Sequence, residues 1–403
     1  MKIRGNLFYR GKIIKTGINI EDGKIKEIGK NIDGESVKGL ILPAAIDVHV
    51  HFRDFNEKHK ETIESGSLSA LFGGICLVVD QPNTLPRVEE KKVYFERMEK
   101  AKKKSYITYC LNIGLTLNNS RKIKAEIEKI GREYSIPAIG EVFLENSDPN
   151  LQIDYETLIN TRKKIDKPIT VHAEDPSKIK TPEIPNFHSR PPDAEILAVK
   201  KIIDEGMFHF CHISTYESAR MILASESTFE VTPHHLLLSA ESFDRNGFSN
   251  VNPPLRHKSE AEKLLKNFKS VDILASDHAP HTVDEKKEGL SGFPGVETMY
   301  PLMLSLVKKG IIGLEDLIEK LVINPAKVFG FKHFGEVEVG NYANLAVFDF
   351  SDKTKIKERN LHSNAGWTPY EGFDAIFPSK VIIMGEKAVE SGEVLIEPGK
   401  QLY

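Results

Sequence analysis

The chain has 403 residues, and 55 Lys and Arg stand against 58 Asp and Glu, which gives a formal charge of −3 and a pI near 6.6. That balance excludes the basic footprint of a nucleic-acid binder or a polybasic membrane patch. The length suits one large domain of roughly 250–300 residues plus a smaller one.

The opening segment "MKIRGNLFYRGKIIKTG" lacks the apolar centre of a signal peptide, and no apolar run reaches about 18 residues. Cys76, Cys110 and Cys211 are far apart and form no CxxC pair. A sparse, odd set of this kind fits a reducing compartment, so a cytoplasmic protein is expected. Residues 1–44 read as short strands broken by glycine turns, with "EDGK" as a hairpin signal. The last 70 residues have the same character, in "GEVEVGNYANLAVFDF" and "PSKVIIMGEKAVESGEVLIE". The two ends, 1–44 and 335–403, are therefore expected to combine into one small β-domain.

Between them, residues 45–334 alternate differently. Eight apolar runs recur in order: "GLILPAAIDVHVHF", "GICLVVDQPN", "ITYCLNIGL", "IPAIGEVFL", "KPITVHAED", "MFHFCHIS", "FEVTPHHLLL" and "VDILASDHAPH". Most are separated by Lys/Glu-rich stretches of helical period, such as "VEEKKVYFERMEKAKKKS" and "SEAEKLLKNF". This is the pattern of an α/β chain folded as a (β/α)8 TIM-type barrel. A doubly wound open sheet competes, but no glycine-rich fingerprint follows the first run.

Most of the runs end in residues that bind metals or protons. In "DVHVHFRD" the two-residue strand period puts Asp47, His49, His51 and Arg53 on one face and Val48, Val50 and Phe52 on the other. Asn83 ends the second run, Glu141 the fourth, His172 the fifth, His212 the sixth and Asp277 the last. In a barrel the C-terminal strand ends form one rim, so these residues are expected to converge. Singly, a buried His is more often a hydrogen-bonded core residue, which is the reading kept for His59 and His209. The set suggests two cations: His49, His51 and Asp277 for one, His172 and His212 for the other, with Glu141 as an anionic bridge. Ligands of this kind without cysteine suit Zn²⁺ in an open catalytic site, with Mn²⁺ or Co²⁺ as alternatives.

Taken together, "DVHVHFRD", "QPNT", "VHAED", "CHIS", "EVTPHHLLL", "NPPLR", "SDHAPHTVDEK", "GFPGVET" and "WTPYEGF" resemble the dihydroorotases of the cyclic amidohydrolase superfamily, from about residue 40 to 375. The resemblance implies a binuclear zinc barrel that reversibly cyclises N-carbamoyl-L-aspartate to L-dihydroorotate in pyrimidine synthesis. It assigns the same metal ligands and makes Asp277 the proton-transfer residue. It also assigns Arg53, Asn83 and His281 to the substrate carboxylate, Asn252 to a further contact, and Pro294 and Gly295 to backbone contacts with the ring. It makes a homodimer reasonable and leaves open association with an aspartate transcarbamoylase.

One position departs from the family. The bridging residue there is often a carboxylated lysine and in one branch an aspartate, whereas "AIGEVFLEN" offers Glu141, with Glu145 as a fallback. Asp47 is expected as a structural acceptor or a support for a ligand, and His234 or His235 as an orienting residue or accessory ligand. A hydantoinase or allantoinase is the competing enzyme, but Arg53 and Asn83 suit a substrate that carries its own carboxylate. A non-catalytic homologue serving as an assembly subunit is a further alternative, disfavoured because all four histidines and Asp277 are present.

Overall fold

The computed structural model describes residues 1–180, 186–241 and 248–399. Four N-terminal strands come first: β1 (Lys2–Tyr9), β2 (Lys12–Glu21), β3 (Lys24–Gly29) and β4 (Glu35–Pro43). The β2–β3 turn is the one the sequence marks. Asp22 and Gly23 both take positive φ, 51° and 75°, which a two-residue turn matched to strand twist requires.

Eight strands follow, each with a helix after it. They are β5 (Ala45–Val50), β6 (Ile75–Asp80), β7 (Thr108–Leu111), β8 (Ile139–Phe143), β9 (Ile169–His172), β10 (His209–Phe210), β11 (Thr228–Val231) and β12 (Ile273–Leu274). Their helices are Ile63–Phe72, Lys91–Lys104, Ile123–Ile130, Tyr155–Arg162, Pro192–Ile202, Tyr216–Leu223, Lys258–Lys266 and Val296–Lys308. Helix Lys91–Lys104 shows why: Tyr94, Arg97, Met98 and Ala101 form a buried stripe at helical spacing. Its last turn carries Lys102, Lys103 and Lys104, where cations suit the helix dipole.

All pairing within β5–β7 and within β8–β12 is parallel. Isolated parallel bridges link Ile113 to Ile139 and Val50 to His278, joining the two sheets at both edges. Backbone bonds reinforce the joins, from Gly140 N–H to the Ile113 carbonyl at 2.9 Å and from His51 N–H to the His278 carbonyl at 2.7 Å.

β13 (Leu345–Phe348) returns to the first sheet. A two-stranded ribbon of β14 (Thr354–Lys355) and β15 (Asp374–Ala375) follows, then β16 (Pro378–Ile383), β17 (Glu386–Glu390) and β18 (Glu393–Val394). One eight-stranded sheet runs β18-β17-β16-β13-β4-β1-β2-β3, so strands from both ends of the chain share it. Its own apolar cluster includes Ile3, Leu7, Ile18, Ile41, Leu345, Val347 and Ile382. No helix among the described residues is long and apolar enough to cross a membrane.

Candidate active site

Every residue of β5 is buried, yet the two faces meet different surroundings. Phe52, just past the strand, packs on helix Ile63–Phe72 so closely that a Cβ on Gly66 would lie 2.5 Å from its ring, which is why a glycine stands there. On the other face, His49 and His51 meet the ends of the remaining strands. Glu141 arrives from β8, where Gly140 takes φ 123° and a Cβ would meet the Thr170 carbonyl at 2.4 Å. Only glycine allows β8 to approach β9 so closely.

The six expected ligands converge. Nε2 of His51 lies 3.2 Å from Oδ1 of Asp277, and Nε2 of His49 lies 3.6 Å from the same oxygen. Glu141 divides its carboxylate between the two halves of the centre. Oε1 faces His212 Nε2 at 2.7 Å and His172 Nδ1 at 3.2 Å, while Oε2 faces His49 Nε2 at 3.4 Å and His51 Nε2 at 3.8 Å. Two groups, His49–His51–Asp277 and His49–Glu141–His212, are compact enough to hold a metal ion. Nε2 of His49 is buried and has no hydrogen-bond partner among the described residues, although carboxylate oxygens of Glu141 and Asp277 lie 3.4 and 3.6 Å away. A nitrogen lone pair left unmatched among converging carboxylate oxygens fits a cation.

The electrostatics agree. Burial opposes charge on Glu141, but His49, His172 and His212 hold its carboxyl well below the usual range. Burial likewise raises Asp277, and His51, His49 and His212 more than reverse it. Burial should lower His172, yet Glu141 and Glu174 carry it up to about 9. A cluster that draws protons onto its imidazoles in this way is one that stabilises positive charge.

Carboxylates lie behind two of the histidines. Nδ1 of His49 meets Glu230 at 2.5 Å, and Glu230 also meets His209 at 3.1 Å. Cys211 adjoins this pair in a third group compact enough for a metal, but burial pushes its thiol well above the usual thiol range. Nε2 of His172 meets Glu174 at 2.8 Å, and Glu174 is gripped by Arg190 through Nε at 2.9 Å and Nη2 at 2.7 Å. Arg256 donates to the Arg190 carbonyl at 2.6 Å. Sequence reasoning missed Glu174, Glu230 and Arg190. Glu230 carried a signal, since a carboxylate inside an apolar strand run must be paired, and Glu174 a fainter one, two residues after His172; Arg190 carried none.

A cavity of about 720 Å³ opens over the centre, and Arg53, Asn83, Asn252 and His281 line it with the ligands. Arg53 reaches the Pro280 carbonyl at 3.4 Å and His281 Nε2 at 3.3 Å. Asn83 turns its Oδ1 to His51 Nδ1 at 2.8 Å, so it orients a histidine as well as lining the cavity. Pro294 and Gly295, expected against the substrate ring, line a small cavity with His278 and Trp367, and Gly295 N–H donates to His278 Nδ1 at 3.1 Å. Leu290, Ser291 and Gly292 line the larger cavity. Glu145, the fallback ligand, pairs with Arg190.

Asp47 accepts from His49 N–H at 3.2 Å and Ser276 N–H at 3.1 Å, tying β5 to β12, and burial pushes it up to about 6. His235 is committed to Thr232 at 2.9 Å and the Pro253 carbonyl at 3.0 Å, a structural role. Neither ring nitrogen of His234 has a partner, and burial lowers it to about 3. His209 bonds Thr228 and Glu230, and His59 is an exposed partner of Glu285.

The profile of the amidohydrolase family matches residues 40–387. The chain is 55% identical to the dihydroorotase of Archaeoglobus fulgidus over 391 residues, covering 96% of this chain and 97% of that one. It is 39% identical to the dihydroorotase of Pyrococcus furiosus over 413 residues, covering 98% and 94%. Among solved structures it superposes on an L-hydantoinase (dihydropyrimidinase) from Arthrobacter aurescens with a TM-score of 0.92 at 24% identity, covering 99% of this chain and 98% of that one. At that identity the likeness speaks for the fold alone. The chain belongs to the amidohydrolase family, on its dihydroorotase branch.

Proposed function

We propose that this chain catalyses the reversible cyclisation of N-carbamoyl-L-aspartate to L-dihydroorotate in pyrimidine synthesis, at a centre built for two zinc ions. The division of the Glu141 carboxylate carries the reading, with one oxygen toward each pair of histidines. His49, His51 and Asp277 would hold one ion, His172 and His212 the other, with Glu141 between them. A closed (β/α)8 barrel over 45–334 would hold this rim, with 1–44 and 335–403 as a composite β-domain. The bridges at both sheet edges and the shared eight-stranded sheet support that division.

When bound, such ions polarise the scissile carbonyl and make water acidic enough to attack near neutral pH. Arg53 offers a planar fork to the substrate carboxylate, and its charge does not change in turnover. Asn83 accepts the Nδ1 proton of His51, which leaves Nε2 of that ring for the metal and the amide NH2 for the substrate. Asn252 and His281 complete the polar wall. In the hydrolytic direction a carboxylate oxygen of Asp277 takes the proton of the attacking water and delivers it to the departing ring nitrogen. In cyclisation the same oxygen takes the ureido proton as that nitrogen attacks the side-chain carboxyl, and water leaves.

Turnover of L-dihydroorotate by the purified chain, before and after chelation and after zinc is restored, tests the proposal. Activity that is lost and then recovered with two zinc ions per chain is expected. A fully loaded enzyme that ignores dihydroorotate but opens a ring without the carboxylate would replace this reading with a hydantoinase-type one.

A further inference from the structure

Lys286 stands in "VDEKKEG", a run that reads as a solvated charge cluster, yet its side chain is fully buried. An ammonium taken out of water costs several kcal/mol unless its protons are matched. Its Nζ donates to three backbone carbonyls: Asn250 at 2.7 Å, Leu290 at 2.7 Å and Gly292 at 3.1 Å. The rings of Phe293 and Trp367 each lie 5.3 Å from it, within cation–π reach. Burial draws the ammonium down to about 7, so desolvation works against its charge while the three carbonyls and two rings work for it.

The three carbonyls belong to two segments that wall the substrate cavity. Asn250, Val251 and Asn252 come from one, and Leu290, Ser291 and Gly292 from the other. The segments also bond to each other, from Gly292 N–H to the Asn250 carbonyl at 3.0 Å and from Asn250 Nδ2 to the Gly289 carbonyl at 2.8 Å. Trp367, one of the two rings beside the ammonium, donates its indole N–H to the His281 carbonyl at 2.9 Å. The short helix Val283–Lys287 that carries Lys286 starts just after His281, and its Glu285 lies 3.3 Å from His281 Nδ1.

We infer that Lys286 is a positioning residue: its ammonium fastens segment 250–252 to segment 290–292 and so sets the wall that presents Asn252, Gly292 and His281 to the substrate. The inference rests on the proposed function for the identity of that substrate. Three carbonyls converging on one point suit three protons on one atom. A planar guanidinium cannot place its donors that way, and a thioether has none.

The test compares Lys286→Met and Lys286→Arg with the native enzyme in KM and kcat for dihydroorotate, zinc content, and hydrogen exchange of peptides covering 248–256 and 288–293. For Lys286→Met we expect KM to rise about tenfold or more, the scale of one lost substrate hydrogen bond, with kcat within about threefold. Zinc content should stay native, and faster exchange should be confined to the two segments. Lys286→Arg should not restore native KM. A folded Lys286→Met enzyme with native KM and native exchange overturns the inference, as does a fall in kcat alone. Should Lys286→Met fail to fold, Trp367→Phe removes the bond to His281 and weakens one aromatic face. It should raise KM while sparing kcat, and an unchanged KM overturns the inference. A native enzyme without dihydroorotate turnover defeats only the functional reading, because the exchange measurement needs no substrate.

Discussion

Replacing Arg53 with Ala separates recognition from chemistry. The residue is 8% exposed, and its two side-chain contacts, the Pro280 carbonyl and His281, leave the rest of the fork facing the cavity. Its backbone takes φ 47°, and its carbonyl is held by Thr84 Oγ1 at 2.7 Å and Arg97 Nη1 at 2.8 Å, so truncation leaves the main chain in place. Removing one member of a buried charge pair costs about 2–5 kcal/mol. Because this cavity is open to water, the lower part of that range applies, about 2–3.5 kcal/mol, or roughly 30- to 300-fold at 1.4 kcal/mol per decade. The rise should fall on KM, with kcat within about threefold, since the proposed function puts Arg53 against the carboxylate and not the reacting carbonyl. Arg53→Lys keeps the charge but loses the fork, and should cost about 1–2 kcal/mol. Steady-state turnover followed by ultraviolet absorbance reads both, with 5,6-dihydrouracil, the same ring without the carboxylate, as control. A KM for Arg53→Ala within twofold of native would remove Arg53 from the substrate site.

Glu141→Gln removes the anion between the two halves of the centre. Bound zinc should fall from about two to about one per chain, with kcat down about 100-fold or more, as elemental analysis beside turnover will show. Asp277→Asn keeps the side-chain volume but abolishes proton transfer; a folded, zinc-loaded variant should lose about a thousandfold or more in kcat, and retained turnover would relocate the chemistry. Burial alone would raise Glu230, but His49 and His209 hold it at about 2, below the unfolded value near 4.5. Its contribution is therefore complete above about pH 4.5 and lost as pH falls toward 2. Urea midpoints across that window should drop for the native chain and drop less steeply for Glu230→Gln. Arg97→Met takes from Asp80 the cation it meets at 2.6 Å with both side chains buried, leaving it the Tyr109 hydroxyl and Phe52 N–H. A loss of about 3–5 kcal/mol in denaturant unfolding is expected, and a loss below 1 kcal/mol would show that Asp80 finds another partner.

Much of the site was legible because the strand period of two is a local rule. His49 and His51 share a face wherever the strand goes, and an Asp or His closing an apolar run advertises a strand end. The eight runs became the eight strands β5–β12 for the same reason. Residues that act through a neighbour were harder to see. Glu174 follows His172 by two and Glu230 interrupts an apolar strand, which is a faint local mark. Arg190 reaches Glu174 from outside any strand, and no spacing encodes that meeting.

The sequence by itself determined the alternation of strand and helix, the donor types at the strand ends and the arginine placed beside them, because each follows from side-chain period and chemistry within a few residues. The tertiary structure alone decided that the two oxygens of Glu141 face different histidine pairs and that Asn83 orients His51. It also buried the lysine of a charged run. Those outcomes depend on distances between segments dozens to hundreds of residues apart, which are set by how the sheets close and the loops pack.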